Sequence, residues 1–76
     1  MRDEILAILN DINDEIDYEN TDTLIDDELL DSFDIVALVG ALNEAFDIRI
    51  NVVNLVPDNF NSVDAIVSLV DSLVNG

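Results

Sequence analysis

Ile5, Ile8, Leu9, Ile12 and Ile16 recur at three- and four-residue spacing. That spacing stacks side chains along one face of an α-helix; a strand would need alternation at every residue. Acids fill the opposite face, so the segment predicts an amphipathic helix with one side committed to a core. Asp3 and Glu4 fall in its first turn, where the helix dipole favours negative charge. The pattern returns twice. A second helix is predicted from about Ser32 to Phe46, with Val36, Leu38, Val39, Leu42 and Phe46 as a broad apolar stripe. Asp31 is its natural N-cap, and Asp34 gives a capping box with a shorter acid. Gly40 costs up to about 1 kcal/mol in mid-helix relative to alanine, and marks a place for close approach of another helix or a partner. The third helix starts with Asn61 or Ser62 as cap and carries Val63, Ile66, Val67, Val70, Leu73 and Val74 at helical spacing. Its valines are weak helix formers, so it depends on packing.

Two long connections join these helices. "DYENTDTLIDDELLD", residues 17–31, is acidic, with Leu24, Ile25, Leu29 and Leu30 as anchors to the core. Ordered loops of this length are uncommon in small domains and often functional. The second, "DIRINVVNLVPDNFN", contains "IRINV", which alternates like a strand but has no strand to pair with. An extended segment is expected instead, leading to a short helical turn near Val52 to Leu55 that Pro57 ends. The expected fold is all-α, a single domain over residues 1–76, built as a small bundle of three main helices plus a short helical turn.

Half the residues are apolar, which argues against disorder. Eighteen acids face only Arg2 and Arg49, for a formal net charge of -16. Nucleic acid and anionic membranes would be repelled by this charge; basic protein surfaces and divalent cations would be attracted. The longest apolar run, Ile35 to Leu42 across Gly40, is too short to span a bilayer. Asp3 and Glu4 stand where a signal peptide would be basic. A cytoplasmic monomer is expected.

The chain has no histidine, cysteine or lysine. A Ser–His–Asp arrangement, a Schiff base, and thiolate or histidine metal sites are therefore excluded. Paired carboxylates could do acid–base work only in a pocket that separates their pKa values, which a small helical bundle rarely has. No intrinsic enzymatic activity is expected. In "DINDEIDYENTD", Asp11, Asn13, Glu15, Asp17 and Glu19 alternate like an EF-hand loop. Ile16 stands where the turn needs glycine and Asp22 where a bidentate glutamate is needed, so no specific calcium site is expected. Ser32 is the remaining candidate. A serine at a helix start usually caps it, but Asp31 can do so here. Ser32 then falls at the first helical position with its hydroxyl free, where the dipole and backbone N–H groups favour an anion such as a phosphate ester.

"LLDSFDIVALVGALNEAFDIRI" resembles the phosphopantetheine attachment motif of acyl carrier proteins and related carrier domains. The resemblance extends to the first amphipathic helix, the long loop and "NFNSVDAIVSLVDSL" as the last helix. It implies that Ser32 carries a 4'-phosphopantetheine arm, derived from coenzyme A, through a phosphodiester. Asp31 would assist recognition by the phosphopantetheinyl transferase and its metal. The arm's thiol would hold acyl groups as thioesters and supply all the reactive chemistry. The protein would deliver them to acyl-activating and acyl-transferring enzymes with basic docking patches. On the second helix, Asp34, Glu44 and Asp47 are the docking acids to test, and Phe33 and Val39 the apolar contacts. For these, a solvated face and the core respectively are the simpler readings, the core above all for Val39.

Two departures bear on cargo. Fatty-acid-type carriers usually read Gly-x-Asp-Ser-Leu, whereas Leu29-Leu30-Asp31-Ser32-Phe33 looks more like D-alanyl carriers and some peptidyl or polyketide-type carriers. The proline usual after the "FDI" segment of D-alanyl carriers is replaced by Asn51, and Ala37 and Asn43 stand where fatty-acid carriers often have acids. The expected function is an acyl carrier in a fatty acid or related pathway, with a D-alanyl or aminoacyl/peptidyl carrier as the alternative. A reading of another class is an acidic protein-binding module or nucleic-acid mimic without a prosthetic group; its binding would ignore Ser32 and weaken strongly with salt.

Overall fold

A computed structural model describes residues 1–76. Four helices form: α1 (Arg2–Ile12), α2 (Ser32–Phe46), α3 (Pro57–Phe60) and α4 (Val63–Asn75). Two 3-10 turns, Tyr18–Asn20 and Val52–Asn54, interrupt the connections, and no strand forms. Helices α1, α2 and α4 pack on one another, and α3 packs on α4. The all-α bundle expected from the apolar periodicity is therefore the one observed. No helix is long and apolar enough to cross a membrane.

The core is aliphatic. Ile5 and Leu9 of α1, Leu38 and Leu42 of α2, and Val63, Ile66, Leu69 and Val70 of α4 are buried together with Phe60 of α3. Burying each large side chain contributes about 1.5–3 kcal/mol, which is what lets the valine-rich α4 stay helical. Its N-cap is Ser62, whose Oγ accepts from the Ala65 N–H at 3.0 Å. An ion pair between Arg2 and Asp64 ties the start of α1 to the first turn of α4.

Helix α1 ends at Ile12, short of the stripe read from the sequence. Asn13 leaves the helix at φ -153°, and its Oδ1 accepts from the Glu15 N–H, so an Asx turn replaces the next helical turn. Tyr18 completes the stop. Its buried phenol lies 3.0 Å from the Leu9 carbonyl oxygen and 2.6 Å from that of Asn13, and donates to these C-terminal acceptors. Ile16 still packs on the core, but from the loop.

Other expectations need correction. Pro57 begins α3 instead of ending the preceding turn: it occupies the first helical position, where a missing N–H costs nothing. Leu29 is not a buried anchor; Leu24 and Leu30 are buried and Ile25 half-buried. Val36 and Val74 belong to the exposed surface and not to the apolar stripes. A Cβ added at Gly40 would meet nothing within 4 Å, so no helix of this chain approaches it.

Candidate functional site

The site is built at the start of α2. The Asp31 backbone is extended, at φ -88° and ψ -176°, and its Oδ1 accepts from the Asp34 N–H at 2.8 Å. In return Asp34 Oδ2 accepts from the Asp31 N–H at 3.2 Å, which completes the capping box. The Asp31 carbonyl also accepts from the Ile35 N–H. These bonds occupy the capping positions without Ser32. Ser32 stands exposed at the first helical position, and its hydroxyl makes no hydrogen bond within the chain. The Ser32 and Phe33 N–H groups likewise have no acceptor here, so two donors and the positive end of the dipole face outward beside the hydroxyl.

The loop before the site is held from a distance. Asn61, between α3 and α4, accepts from the Ile25 and Asp26 N–H groups through Oδ1, at 2.9 and 3.0 Å. Its backbone carbonyl accepts from the Leu24 N–H at 2.9 Å. The Leu24 carbonyl in turn accepts from the Leu30 N–H, which closes the loop just before Asp31. Beyond α2, Asn43 plays a related part: its Oδ1 accepts from the Ile50 N–H at 2.9 Å. The sequence marks Asn61 only as a candidate helix cap, a part that Ser62 takes, and Asn43 only as a position without an acid, because an amide side chain gives no sign of a backbone partner far along the chain.

An open depression lined by Ile25, Glu28, Leu30, Asp31, Ser32 and Ile35 surrounds the hydroxyl. A second cleft, of about 160 Å³, is lined by Ile25, Ile35, Leu55, Val56, Pro57 and Phe60. Ile25 and Ile35 belong to both, so a polar surface at Ser32 adjoins an apolar crevice between the loop, α2 and α3.

The remaining candidates separate by exposure. Phe33 is 86% exposed and Val36 is 72% exposed. With Ala37 and Gly40, also exposed, they form an uncharged outer face on α2. Val39 is half-buried against the core, as its simpler reading implied. Asp34 is half-buried within the capping box. Glu44 and Asp47 are exposed, and Asp47 takes the left-handed conformation, φ 53°, as the C-cap of α2. Thirteen of the eighteen acids lie within residues 1–34, so most of the charge precedes this face in the chain.

One ionisable group is perturbed, at the end of α1. Burial raises the Tyr18 phenol pKa above its ordinary value, and the charges of Asp34 and Asp14 act in the same direction. No three acids converge as a metal cluster, including those of the EF-hand-like stretch; there, Asp17 Oδ2 instead accepts from the Asn20 side-chain amide.

A family model described as "Phosphopantetheine attachment site" matches residues 2–70. No curated protein and no solved structure matches the chain.

Proposed function

The chain belongs to the phosphopantetheine-attachment-site family of carrier domains, and on that premise we propose that it is an acyl carrier protein whose arm is borne by Ser32. Family membership implies a covalently bound 4'-phosphopantetheine group, and carrier domains of this kind are in general not catalysts. When attached, the group supplies a thiol on which acyl cargo rides as a thioester.

The observation that carries the assignment to Ser32 is the division of labour at the start of α2. Asp31 and Asp34 satisfy the cap between themselves, and the serine hydroxyl is left exposed and unbonded beside two free N–H donors. A phosphodiester there would meet those donors and the helix dipole. Asp31 holds the backbone that aims Ser32, and its other carboxylate oxygen makes no bond within the chain. Phe33, Asp34, Val39, Glu44 and Asp47 are the proposed partner contacts; exposure favours Phe33, Glu44 and Asp47 among them. The partners are a phosphopantetheinyl transferase and acyl-handling enzymes with basic docking surfaces, suited to fast, transient association.

The apolar cleft beside Ser32 supports aliphatic cargo, which could lie along Ile25, Ile35, Leu55 and Phe60. The "LLDSF" run supports the second reading, a D-alanyl or aminoacyl carrier. The pantetheinylated protein, offered separately to a fatty-acyl-activating and a D-alanine-activating enzyme, should be loaded by the first. Loading by D-alanine alone would replace the aliphatic reading. Peptide fragmentation of the pantetheinylated chain should place the arm on Ser32; an arm on Ser62, Ser68 or Ser72 would overturn the assignment.

A further inference from the structure

Residues 22–30 of the acidic loop bond to the rest of the fold through one residue. The Leu24 N–H donates to the Asn61 carbonyl, and the Ile25 and Asp26 N–H groups donate to Asn61 Oδ1. Asn61 Nδ2 donates in return to Asp26 Oδ2 at 3.2 Å. Every other hydrogen bond of residues 22–30 stays among themselves. The Thr23 carbonyl accepts from the Asp27 N–H, Glu28 ends that turn in the left-handed region at φ 57°, and the Leu30 N–H then meets the Leu24 carbonyl. Leu24 and Leu30 bury the two ends of the turn, but Ile25 is half-buried and Asp26, Asp27 and Glu28 are exposed. The middle of the turn is therefore short of apolar contacts, and its carboxylates repel one another with no cation paired to them. An amide suits position 61, because it accepts from the backbone with one group and meets a carboxylate with the other. This same turn contributes Ile25, Glu28 and Leu30 to the lining of the Ser32 depression, beside Asp31, Ser32 and Ile35.

We propose that Asn61 is a positioning residue for transfer of the arm: it holds residues 25–28 in the conformation that gives the Ser32 depression its loop-side wall. The inference rests on the assignment of the arm to Ser32. In the transfer, Ser32 Oγ forms a bond to the phosphorus that bears pantetheine. The pyrophosphate P–O bond to adenosine 3',5'-bisphosphate breaks, and the serine proton passes to a base of the transferase. Asn61 takes no part in these steps and does not line the depression. Its effect is on the surface that the transferase meets. An enzyme that closes over Ser32 must also close over the loop-side wall. Where only a fraction of chains holds that wall formed, the apparent affinity falls by that fraction, while turnover of the bound complex is unchanged. The loss therefore belongs in KM and not in kcat.

The test measures transfer from coenzyme A, with magnesium and a phosphopantetheinyl transferase, to the full chain and to N61A, N61D and S62A. N61A should raise KM for the carrier about threefold, with kcat unchanged. S62A is the control: it removes the α4 cap at the neighbouring residue, at a similar cost in stability, and leaves the loop bonds intact, so KM and kcat should both stay at the wild-type values. N61D keeps the shape and the acceptor but loses the donor to Asp26 and repels its carboxylate. Its KM should exceed that of wild type at low salt, and the ratio of the two should narrow as salt is added. A wild-type KM for folded N61A, a wild-type KM for N61D at low salt, or an equal rise for S62A would overturn the proposal. Failure of wild type to accept the arm, or an arm on Ser32→Ala, would instead overturn the Ser32 assignment on which it rests.

Discussion

Asp31 and Asp34 hold each other's backbone at the start of α2, with side chain to N–H distances of 2.8 and 3.2 Å. The pairing releases Ser32 from the capping role that serine usually has at a helix start. It also sets the direction in which the first turn presents the hydroxyl.

Replacing Asp31 separates its two roles. Asp31→Ala removes the cap and should destabilise the fold by about 1 kcal/mol, seen as a lower urea midpoint with an unchanged slope. Asp31→Asn keeps the acceptor and should restore most of that stability. If Asp31→Asn still receives the arm slowly, the charge itself matters to the transferase; if it is modified at the wild-type rate, capping is the residue's whole contribution.

Asn61→Ala should cost more than a surface substitution. It leaves the half-buried Ile25 N–H without its acceptor, while water can replace the bond to the exposed Asp26 N–H, a loss of about 1 kcal/mol. Hydrogen exchange should quicken first at these two amides and at Leu30, while the α1 and α4 amides stay protected. Uniform loss of protection would show that Asn61 supports the whole bundle and not the loop.

Tyr18 should make the fold sensitive to alkali. Its phenol pKa is raised in the native state, first by burial and then by the charges of Asp34 and Asp14. Above the ordinary phenol value near pH 10, the unfolded chain releases this proton while the native chain keeps it. The unfolded state then binds fewer protons, so stability falls as pH rises. The contribution is fully present below that value and is lost as pH climbs through the raised native one. Urea midpoints should decline above about pH 10, and in Tyr18→Phe that decline should flatten, at a lower neutral-pH stability because the bonds to Leu9 and Asn13 are gone.

Phe33 and Val36 should matter to partners and not to folding. Both are strongly exposed, so Phe33→Ala and Val36→Ala should change stability by no more than about 0.5 kcal/mol. Affinity for an acyl-handling enzyme should fall by 1 kcal/mol or more for at least one of the pair, on the order of an interface hot spot. Unchanged affinity in the double variant would move docking away from the outer face of α2.

The apolar spacing made the three long helices legible, and the cap at Asp31 and the freedom of Ser32 followed from residue type at a helix start. What stayed hidden depends on contacts remote in sequence. Tyr18 stops α1 by bonding backward to it, and Asn61 clamps a loop more than thirty positions away. Val36 reads as core because α2 is apolar nearly all round, and only its packing shows which valine faces outward. The left-handed turn end at Glu28 is hidden for another reason: a glutamate in an acidic loop looks ordinary until its φ is known.

The most direct test is intact-mass measurement after incubation with coenzyme A, magnesium and a broad-specificity phosphopantetheinyl transferase. The wild-type chain should gain the mass of a single phosphopantetheine group, and Ser32→Ala should gain none while remaining folded. No gain by the folded wild type, or the same gain by Ser32→Ala, would contradict the account.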